Sequence, residues 1–127
     1  MMSHSVNKAT LLGRLGQDPE IRETKHGKKI AHFSIATHDR WRDQVSGDMR
    51  EHTEWHRVAI FNENLVRIAE AHLSKGARVY LEGQIQTRQW DDADGKPRIT
   101  TEIVLSGYQA QLTLLDSRSP SADEEAA

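Results

Sequence analysis

The sequence predicts an all-β fold, a five-stranded Greek-key barrel with one short helix between the third and fourth strands. Two observations predict it. Most of the chain alternates apolar and polar residues with a period of two, the pattern of half-buried strands. One stretch, residues 63–74, instead repeats its apolar residues at helical spacing. A chain of 127 residues has room for one such domain.

The first two strands precede a long polar stretch. Residues 6–16 are short, β-rich and end in glycine, which predicts a strand, and proline at position 19 predicts a turn over residues 17–19. After a basic turn around Gly27, residues 30–38 form the second predicted strand. Alternation divides that strand between two sides, one with Ala31, Phe33, Ile35 and Thr37, the other with His32, Ser34, Ala36 and His38.

Residues 39–52 are polar and are predicted to form a loop, and loops of this length in compact domains tend to be functional. The third predicted strand covers residues 53–61. Its sides carry Glu54, His56, Val58 and Ile60, and Trp55, Arg57, Ala59 and Phe61.

The helix of residues 63–74 has Asn62 as its predicted N-cap and Gly76 as its predicted C-terminal stop. Residues 78–90 form the fourth strand, Asp94-Gly95 marks a hairpin turn, and the fifth strand runs from Arg98 to about residue 115. This element order is that of an OB barrel. We therefore assign residues 1–115 to one OB-fold domain and residues 116–127 to a short, acidic, disordered tail.

Composition excludes several classes of protein. The chain has no cysteine, which excludes disulfides, thiolate metal sites and a cysteine nucleophile. Its longest apolar run, residues 58–61, is far short of the roughly 20 residues of a membrane span. The first residues carry no apolar segment for export. We therefore expect a cytoplasmic protein.

The net charge of the chain does not by itself indicate a polyanionic partner. The formal net charge is -2, and residues 116–127 contribute -3 of it, so residues 1–115 carry +1. An interpretation as a nucleic-acid-binding protein must therefore depend on where basic and aromatic side chains lie.

The aromatic residues supply such a pattern. The apolar sides of the third and fourth strands already provide a core, so the tryptophan sides are available for binding. Every nucleobase offers a π-face for stacking. Four aromatic residues lie beside or in phase with arginine and are the candidate stacking residues: Trp41, Trp55, Phe61 and Trp90. The alternative is that Trp55 and Phe61 close one end of the barrel or form an oligomer interface.

Basic residues are spread over several elements, as a winding strand of nucleic acid requires. Taken singly, each one is equally compatible with an ordinary solvated surface. No helix carries a cluster of arginine, asparagine or glutamine, which argues against a reader of duplex DNA. The candidate phosphate-binding residues are Lys8, Arg22, Arg57, Lys75, Arg88 and Lys96.

A metal-dependent nuclease or RNA-processing enzyme would use His52, Glu54 and His56. On a strand these side chains point the same way but stand roughly 6–7 Å apart, which is wide for one metal ion. The phosphate-binding and nucleophile motifs G-x-x-x-x-G-K-[ST], G-x-G-x-x-G and G-x-S-x-G are absent. We therefore expect no enzyme activity, no metal and no cofactor. A protein-interaction module whose aromatic side meets another protein remains the second alternative.

Several motifs of this chain resemble bacterial single-stranded DNA-binding proteins. They are collinear and extend over about residues 6–105. They are residues 6–8 (Val-Asn-Lys), 15–20 (Leu-Gly-Gln-Asp-Pro-Glu), 53–58 (Thr-Glu-Trp-His-Arg-Val), 75–76 (Lys-Gly), 79–83 (Val-Tyr-Leu-Glu-Gly), 87–90 (Thr-Arg-Gln-Trp) and 100–102 (Thr-Thr-Glu).

The resemblance implies an OB fold assembled as a homotetramer that wraps single-stranded DNA without sequence preference. It implies a role in DNA replication, recombination and repair, and an association with the nucleoid. In this resemblance the four aromatic residues stand at base-stacking positions, and five of the basic residues, all except Lys96, match positions along the DNA path. Many such proteins end in an acidic tip closed by Pro-Phe that recruits replication and repair enzymes. Residues 123–127 are acidic but lack that tip, so we do not expect recruitment by this route.

Overall fold

The structure, a computed structural model, describes residues 4–116. Seven strands and one helix follow each other along the chain: β1 (Ala9–Leu15), β2 (Glu20–Glu23), β3 (Lys29–Arg42), β4 (Met49–Ile60), α1 (Glu63–His72), β5 (Arg78–Asp91), β6 (Pro97–Leu105) and β7 (Gln111–Leu114). The acidic tail predicted for residues 116–127 lies outside the described residues, apart from Asp116.

All of these strands belong to one sheet, whose order is β1-β3-β4-β6-β5-β7, with β2 added beside β3. A further pairing of β1 with β5 joins the ends of the path from β1 to β5, so five strands close into a barrel. The β4–β6 pair is parallel, and the other pairs are antiparallel. The predicted all-β barrel of five strands, with its helix between the third and fourth of them, is confirmed.

The core lies inside this barrel, on the strand sides that the alternation marked as apolar. Side chains from β3, β4, β5 and β6 fill it, and Val66 and Ala69 of α1 are buried in the same cluster. The largest fully buried side chains are Ile35, Val58, Ile60, Val79, Leu81 and Leu105. The outer sides of the same strands are consequently free to carry polar and aromatic side chains.

The helix begins as predicted and ends earlier. The Asn62 side chain accepts a hydrogen bond from the amide of Leu65, as an N-cap does. Leu73, which is buried in the core, is the C-cap and has left the helical conformation. Gly76 therefore does not stop the helix. Its positive φ of 89° belongs to the following turn, where its amide donates to the carbonyl of Leu15.

The prediction of a loop over residues 39–52 is wrong. Here β3 and β4 continue as an antiparallel ribbon, paired from Asp39 with His52 to Arg42 with Met49, and only residues 43–48 form the turn. Both sides of this ribbon are polar and exposed, so its sequence carries no apolar alternation. Cross-strand contacts such as the 2.9 Å hydrogen bond between the His38 and Thr53 side chains hold it instead.

Two other strand boundaries also differ from the prediction. Residues 20–23 were not predicted as a strand, yet β2 pairs with β3 at the barrel surface. The fifth predicted strand is divided into β6 and β7 by residues 106–110, where Gly107 has a φ of 77°. The Asp94-Gly95 turn is confirmed, with a φ of 78° at Gly95.

Candidate nucleic-acid interface

Trp55 and Arg57 project from the same side of β4. Both side chains belong to exposed residues, whereas Val58 and Ile60, which face the other way, are buried. Trp55 stands opposite Ala36 of β3, and Arg57 stands opposite Ser34. Because these β3 partners are small, the indole and the guanidinium group rise above the sheet.

Arg88 and Trp90 project in the same way from β5, opposite Thr100 and Arg98 of β6. The indole Nε1–H of Trp90 donates a 2.8 Å hydrogen bond to the Thr100 hydroxyl. The guanidinium carbon of Arg88 lies 6.0 Å from the centre of the Trp90 ring, at the outer limit of a cation–π contact. The hydrogen bond to Thr100 and the contact with Arg88 orient the Trp90 indole, although this residue is still 41% exposed.

The parallel pairing of β4 with β6 brings these two sets of side chains onto one face. Ala59 of β4 stands beside Val104 of β6. Ala59 points to the same side as Arg57, and Val104 points to the same side as Thr100, because side chains an even number of residues apart on a strand share a side. One pocket is lined by Arg57 and Arg88 together. We call this surface the aromatic face and define it by Trp55, Arg57, Arg88 and Trp90.

Trp55 is held by a close approach of the backbone. Its indole lies against Gly16, where a Cβ atom would stand only 2.8 Å from the ring atom Cη2. Real Cβ atoms essentially never approach so closely, so the indole can lie here only because residue 16 has no side chain. The residue is nevertheless 57% exposed, which leaves much of the ring available for stacking.

The arginines of this region differ in their ion pairs. Arg88 Nε lies 3.2 Å from Oε1 of Glu102, whose side chain is only 7% exposed. Arg22, on β2, pairs with Glu20 at 3.0 Å. Within residues 4–116, Arg57 has no carboxylate at ion-pair distance, so its charge is available to a phosphate.

A pocket of about 170 Å³ opens between these arginines, and we call it the His32 pocket. His32 lines this pocket, and its Nδ1 atom is buried and has no hydrogen-bond partner within residues 4–116. Burial is the main reason that the pKa of His32 lies below its usual value; Glu102 opposes the effect, and Arg22 and Arg88 reinforce it. The lining residues are Gln17, Glu20, Arg22, His32, Phe33, Ser34, Arg57, Val58, Arg88 and Glu102.

Two predicted stacking residues lie outside the aromatic face as defined. Trp41 is 47% exposed and stands opposite Arg50 on the β3–β4 ribbon, not in a loop. It is five residues from Ala36, the partner of Trp55, so the pleat directs it to the other side of the ribbon. Phe61 is 46% exposed and directly follows β4, where its amide donates to the Leu105 carbonyl.

The predicted lysines are distributed around the barrel. Lys8, before β1, forms an ion pair with Glu82 at 3.4 Å. The amide of Lys75, between α1 and β5, donates to the Asp18 carboxylate. Lys96 lies in the β5–β6 turn, beyond Trp90 along the hairpin. The same pocket is lined by Arg22, Arg57 and Arg88, and none of the three predicted lysines lines it.

Two of the three side chains of the metal-site alternative pair with each other, and the third pairs with a threonine. His52 Nε2 lies 2.9 Å from Glu54 Oε1, a hydrogen bond that lowers the pKa of Glu54. His56 Nε2 instead pairs with the Thr37 hydroxyl at 2.9 Å. In residues 4–116 no group of three histidine, aspartate or glutamate side chains is arranged to hold a metal ion.

Sequence reasoning missed His32, Glu102 and Gly16 as parts of this site. Strand alternation had placed His32 on the polar side of its strand, which is the one signal that pointed to it. Glu102 and Gly16 take their roles from residues distant in sequence, Arg88 and Trp55.

Within residues 4–116, no helix is long and apolar enough to cross a membrane.

Comparison with known proteins covers this whole region. Residues 6–112 match the model of the Single-strand binding protein family. A single-stranded DNA-binding protein of Rhizobium meliloti (strain 1021) is 52% identical over 117 residues, which are 92% of this chain and 67% of that protein. Its counterpart in Rickettsia felis (strain ATCC VR-1525 / URRWXCal2) is 48% identical over 118 residues, 93% of this chain and 78% of that protein.

A solved structure is also similar. The chain described as Plasmodium falciparum SSB in complex with ssDNA superposes with a TM-score of 0.82 at 39% sequence identity, covering 91% of this chain and 100% of that one. The aromatic face and the His32 pocket lie within the residues matched by the family model.

Proposed function

Because this chain belongs to the single-strand binding protein family, we propose that it binds single-stranded DNA without sequence preference and protects it during replication, recombination and repair. It acts as a binding protein and not as an enzyme. Its place of action is the DNA of the cytoplasm, in association with the nucleoid.

The observation that carries this proposal is the pairing of exposed indoles with arginines on one face. Trp55 and Trp90 are 57% and 41% exposed, although both rings are oriented by the protein. Stacking of a base on an aromatic ring is worth about 1–3 kcal/mol and tolerates any base. Two such rings on one face therefore favour the binding of single-stranded nucleic acid, and they favour it whatever the base sequence.

Arginines on the aromatic face supply the phosphate contacts. Arg57, which has no ion pair among the described residues, and Arg88, which shares the His32 pocket with it, can bind backbone phosphates while bases stack on the tryptophans. Neutralisation of phosphates releases counterions, so the affinity falls as salt concentration rises.

The remaining predicted contacts extend the path beyond the aromatic face. We propose that Trp41 and Phe61 stack further bases. The predicted basic residues outside the aromatic face, which we propose contact further phosphates, are Lys8, Arg22, Lys75 and Lys96. Trp41 stands on the exposed β3–β4 ribbon and Lys96 at the tip of the β5–β6 hairpin. Both segments extend from the barrel, so a strand leaving the aromatic face has a charged and aromatic surface to follow.

We also propose that the chain assembles as a homotetramer. Ile85 and Ile99 lie on the side of the β5–β6 hairpin opposite Trp90, and both are exposed. A subunit interface would remove such apolar side chains from water. Sedimentation equilibrium tests this proposal: we expect the mass of four chains, and Ile99→Glu is expected to reduce it. A monomer at micromolar concentration would refute the tetramer.

A tryptophan-fluorescence titration with oligo(dT), at low and at high salt, tests the function itself. We expect strong quenching that saturates at a definite ratio of nucleotides to protein and weakens at high salt. A folded sample whose fluorescence and mobility do not respond to oligo(dT) would refute the proposal. In that case the aromatic face would be assigned to a protein partner, and competition for Trp55 would identify it.

A further inference from the structure

We propose that the His32 pocket seats one phosphodiester group of the bound strand, and that its negative charge draws a proton onto the imidazole of His32. This inference rests on the proposed function and deepens it. It adds a residue to the interface and couples strand binding to proton uptake.

One ring nitrogen of His32 makes no hydrogen bond within residues 4–116. This atom, Nδ1, is buried. A buried polar atom without a partner is costly, and most such atoms in proteins are satisfied. The pocket that the His32 ring lines measures about 170 Å³, much more than the roughly 10–15 Å³ that one water molecule requires. A group larger than a single water therefore fits in this pocket.

The charged groups that line the pocket with His32 favour an anion. They come from every strand around the pocket: Glu20 and Arg22 of β2, Arg57 of β4, Arg88 of β5 and Glu102 of β6. Three guanidinium groups stand against two carboxylates, so one singly charged anion balances the pocket. A phosphodiester carries that charge and accepts several hydrogen bonds.

An anion in the pocket changes which protonation state of His32 is favoured. In the free protein, burial holds the pKa of His32 below its usual value, which keeps the ring neutral at neutral pH. A phosphate in the pocket favours the imidazolium form, because an opposite charge at close range stabilises the charged state. The protonated ring then carries an N–H on both ring nitrogens and can donate to a phosphate oxygen in the pocket that it lines, so binding becomes linked to uptake of a proton.

The expected size of the effect follows from linkage. Each unit by which binding raises the pKa of His32 tightens binding by up to about tenfold at low pH. We expect the affinity for oligo(dT) to rise between about pH 8.5 and about pH 5.5, the range in which histidine changes charge. Thymine has no titrating group in this range, so the ligand does not contribute.

The first experiment compares three proteins over this pH range by fluorescence titration with oligo(dT). His32→Asn keeps a polar side chain that cannot be protonated, and His72→Asn, an exposed residue of α1, is the matched control. We expect the gain in affinity at low pH to be several-fold smaller for His32→Asn and unchanged for His72→Asn. Parallel pH profiles for the protein and for His32→Asn would overturn the proposal.

The second experiment follows the imidazole of His32 directly by nuclear magnetic resonance, with the signal assigned by its loss in His32→Asn. The pKa of His32 is measured in the free protein, with oligo(dT), and with inorganic phosphate alone. We expect oligo(dT) to raise it more than inorganic phosphate does. No rise with oligo(dT), or an equal rise with free phosphate, would overturn the assignment to a strand phosphate.

The two proposals fail in different ways. If the protein does not respond to oligo(dT) at any pH, the proposed function itself is wrong. If oligo(dT) quenches the tryptophans while the pKa of His32 stays unchanged, only the role of the pocket is wrong.

Discussion

The indole of Trp55 lies against the backbone of Gly16, at a distance that leaves no room for a side chain on residue 16. Gly16 directly follows β1, and its amide donates to the Ser34 carbonyl of β3. The first turn of the chain thus sets the position of a ring on β4. Trp55 is consequently pre-oriented for stacking, which reduces the conformational entropy that the side chain loses on binding.

Gly16→Ala is expected to weaken the binding of oligo(dT) without removing any contact residue. The new Cβ displaces the Trp55 indole, so part of the stacking energy of about 1–3 kcal/mol is lost. Fluorescence titration measures the loss. In a Trp55→Ala background the same change is expected to have little further effect, and an equal effect in both backgrounds would show that Gly16 acts independently of Trp55.

Trp55→Ala and Trp90→Ala are each expected to weaken oligo(dT) binding by about 1–3 kcal/mol, because each removes one stacking platform. Tyr108→Ala is the control, since Tyr108 is fully exposed between β6 and β7, outside the aromatic face. Affinity is measured by mobility shift, which does not depend on tryptophan emission. A folded variant that lacks either tryptophan and binds with unchanged affinity would refute the stacking role.

Arg57→Ala is expected to make binding less sensitive to salt. Each phosphate contact to a single strand contributes about 0.7 to the slope of log K against log salt, so losing one contact reduces the slope by about that amount. Arg67→Ala is the matched control, since Arg67 lies on α1, where its side chain bonds to Asn64. The slopes are measured by titration at several salt concentrations. Identical slopes for the two variants would argue against a phosphate at Arg57.

Asp92→Ala is expected to lower thermal stability at neutral pH but not in strong acid. The Asp92 carboxylate accepts hydrogen bonds from the amides of Asp94 and Lys96 and from Arg98. Its pKa is held below 3.8, chiefly by the Lys96 amide. Between this lowered pKa and 3.8, the usual pKa of an aspartate in the unfolded chain, the unfolded chain binds more protons than the folded one. The stabilisation that the Asp92 carboxylate provides is therefore complete above pH 3.8. It is lost as the pH falls through the lowered pKa of Asp92 in the folded protein.

Thermal unfolding at neutral pH and at about pH 2 checks this prediction, with Asp94→Ala as the control in the same turn. Asp92→Ala should unfold at a lower temperature than the control at neutral pH, and the difference should vanish in acid. A difference of the same size at both pH values would mean that the Asp92 carboxylate charge is not responsible.

The barrel strands could be predicted because each has one buried side, so their apolar residues repeat with a period of two. The Asn62 cap and the Asp94-Gly95 turn could be predicted because both depend on one or two residues. The β3–β4 ribbon could not, because both of its sides face water and no apolar pattern marks them. Its pairing depends on polar contacts instead, such as that of Arg50 on β4 with Asp43 in the turn.

The fold class and the phase relationships within each strand, including Trp55 with Arg57 and Arg88 with Trp90, follow from the amino-acid sequence alone. Those relationships need only the two-residue period of a strand. Which strands lie side by side depends on the folded barrel. The parallel β4–β6 pairing brings Arg57 to the pocket of Arg88, and the Nδ1 atom of His32, a residue that lines this pocket, is buried without a hydrogen-bond partner among residues 4–116. Contacts of this kind join residues far apart along the chain, so no local pattern encodes them.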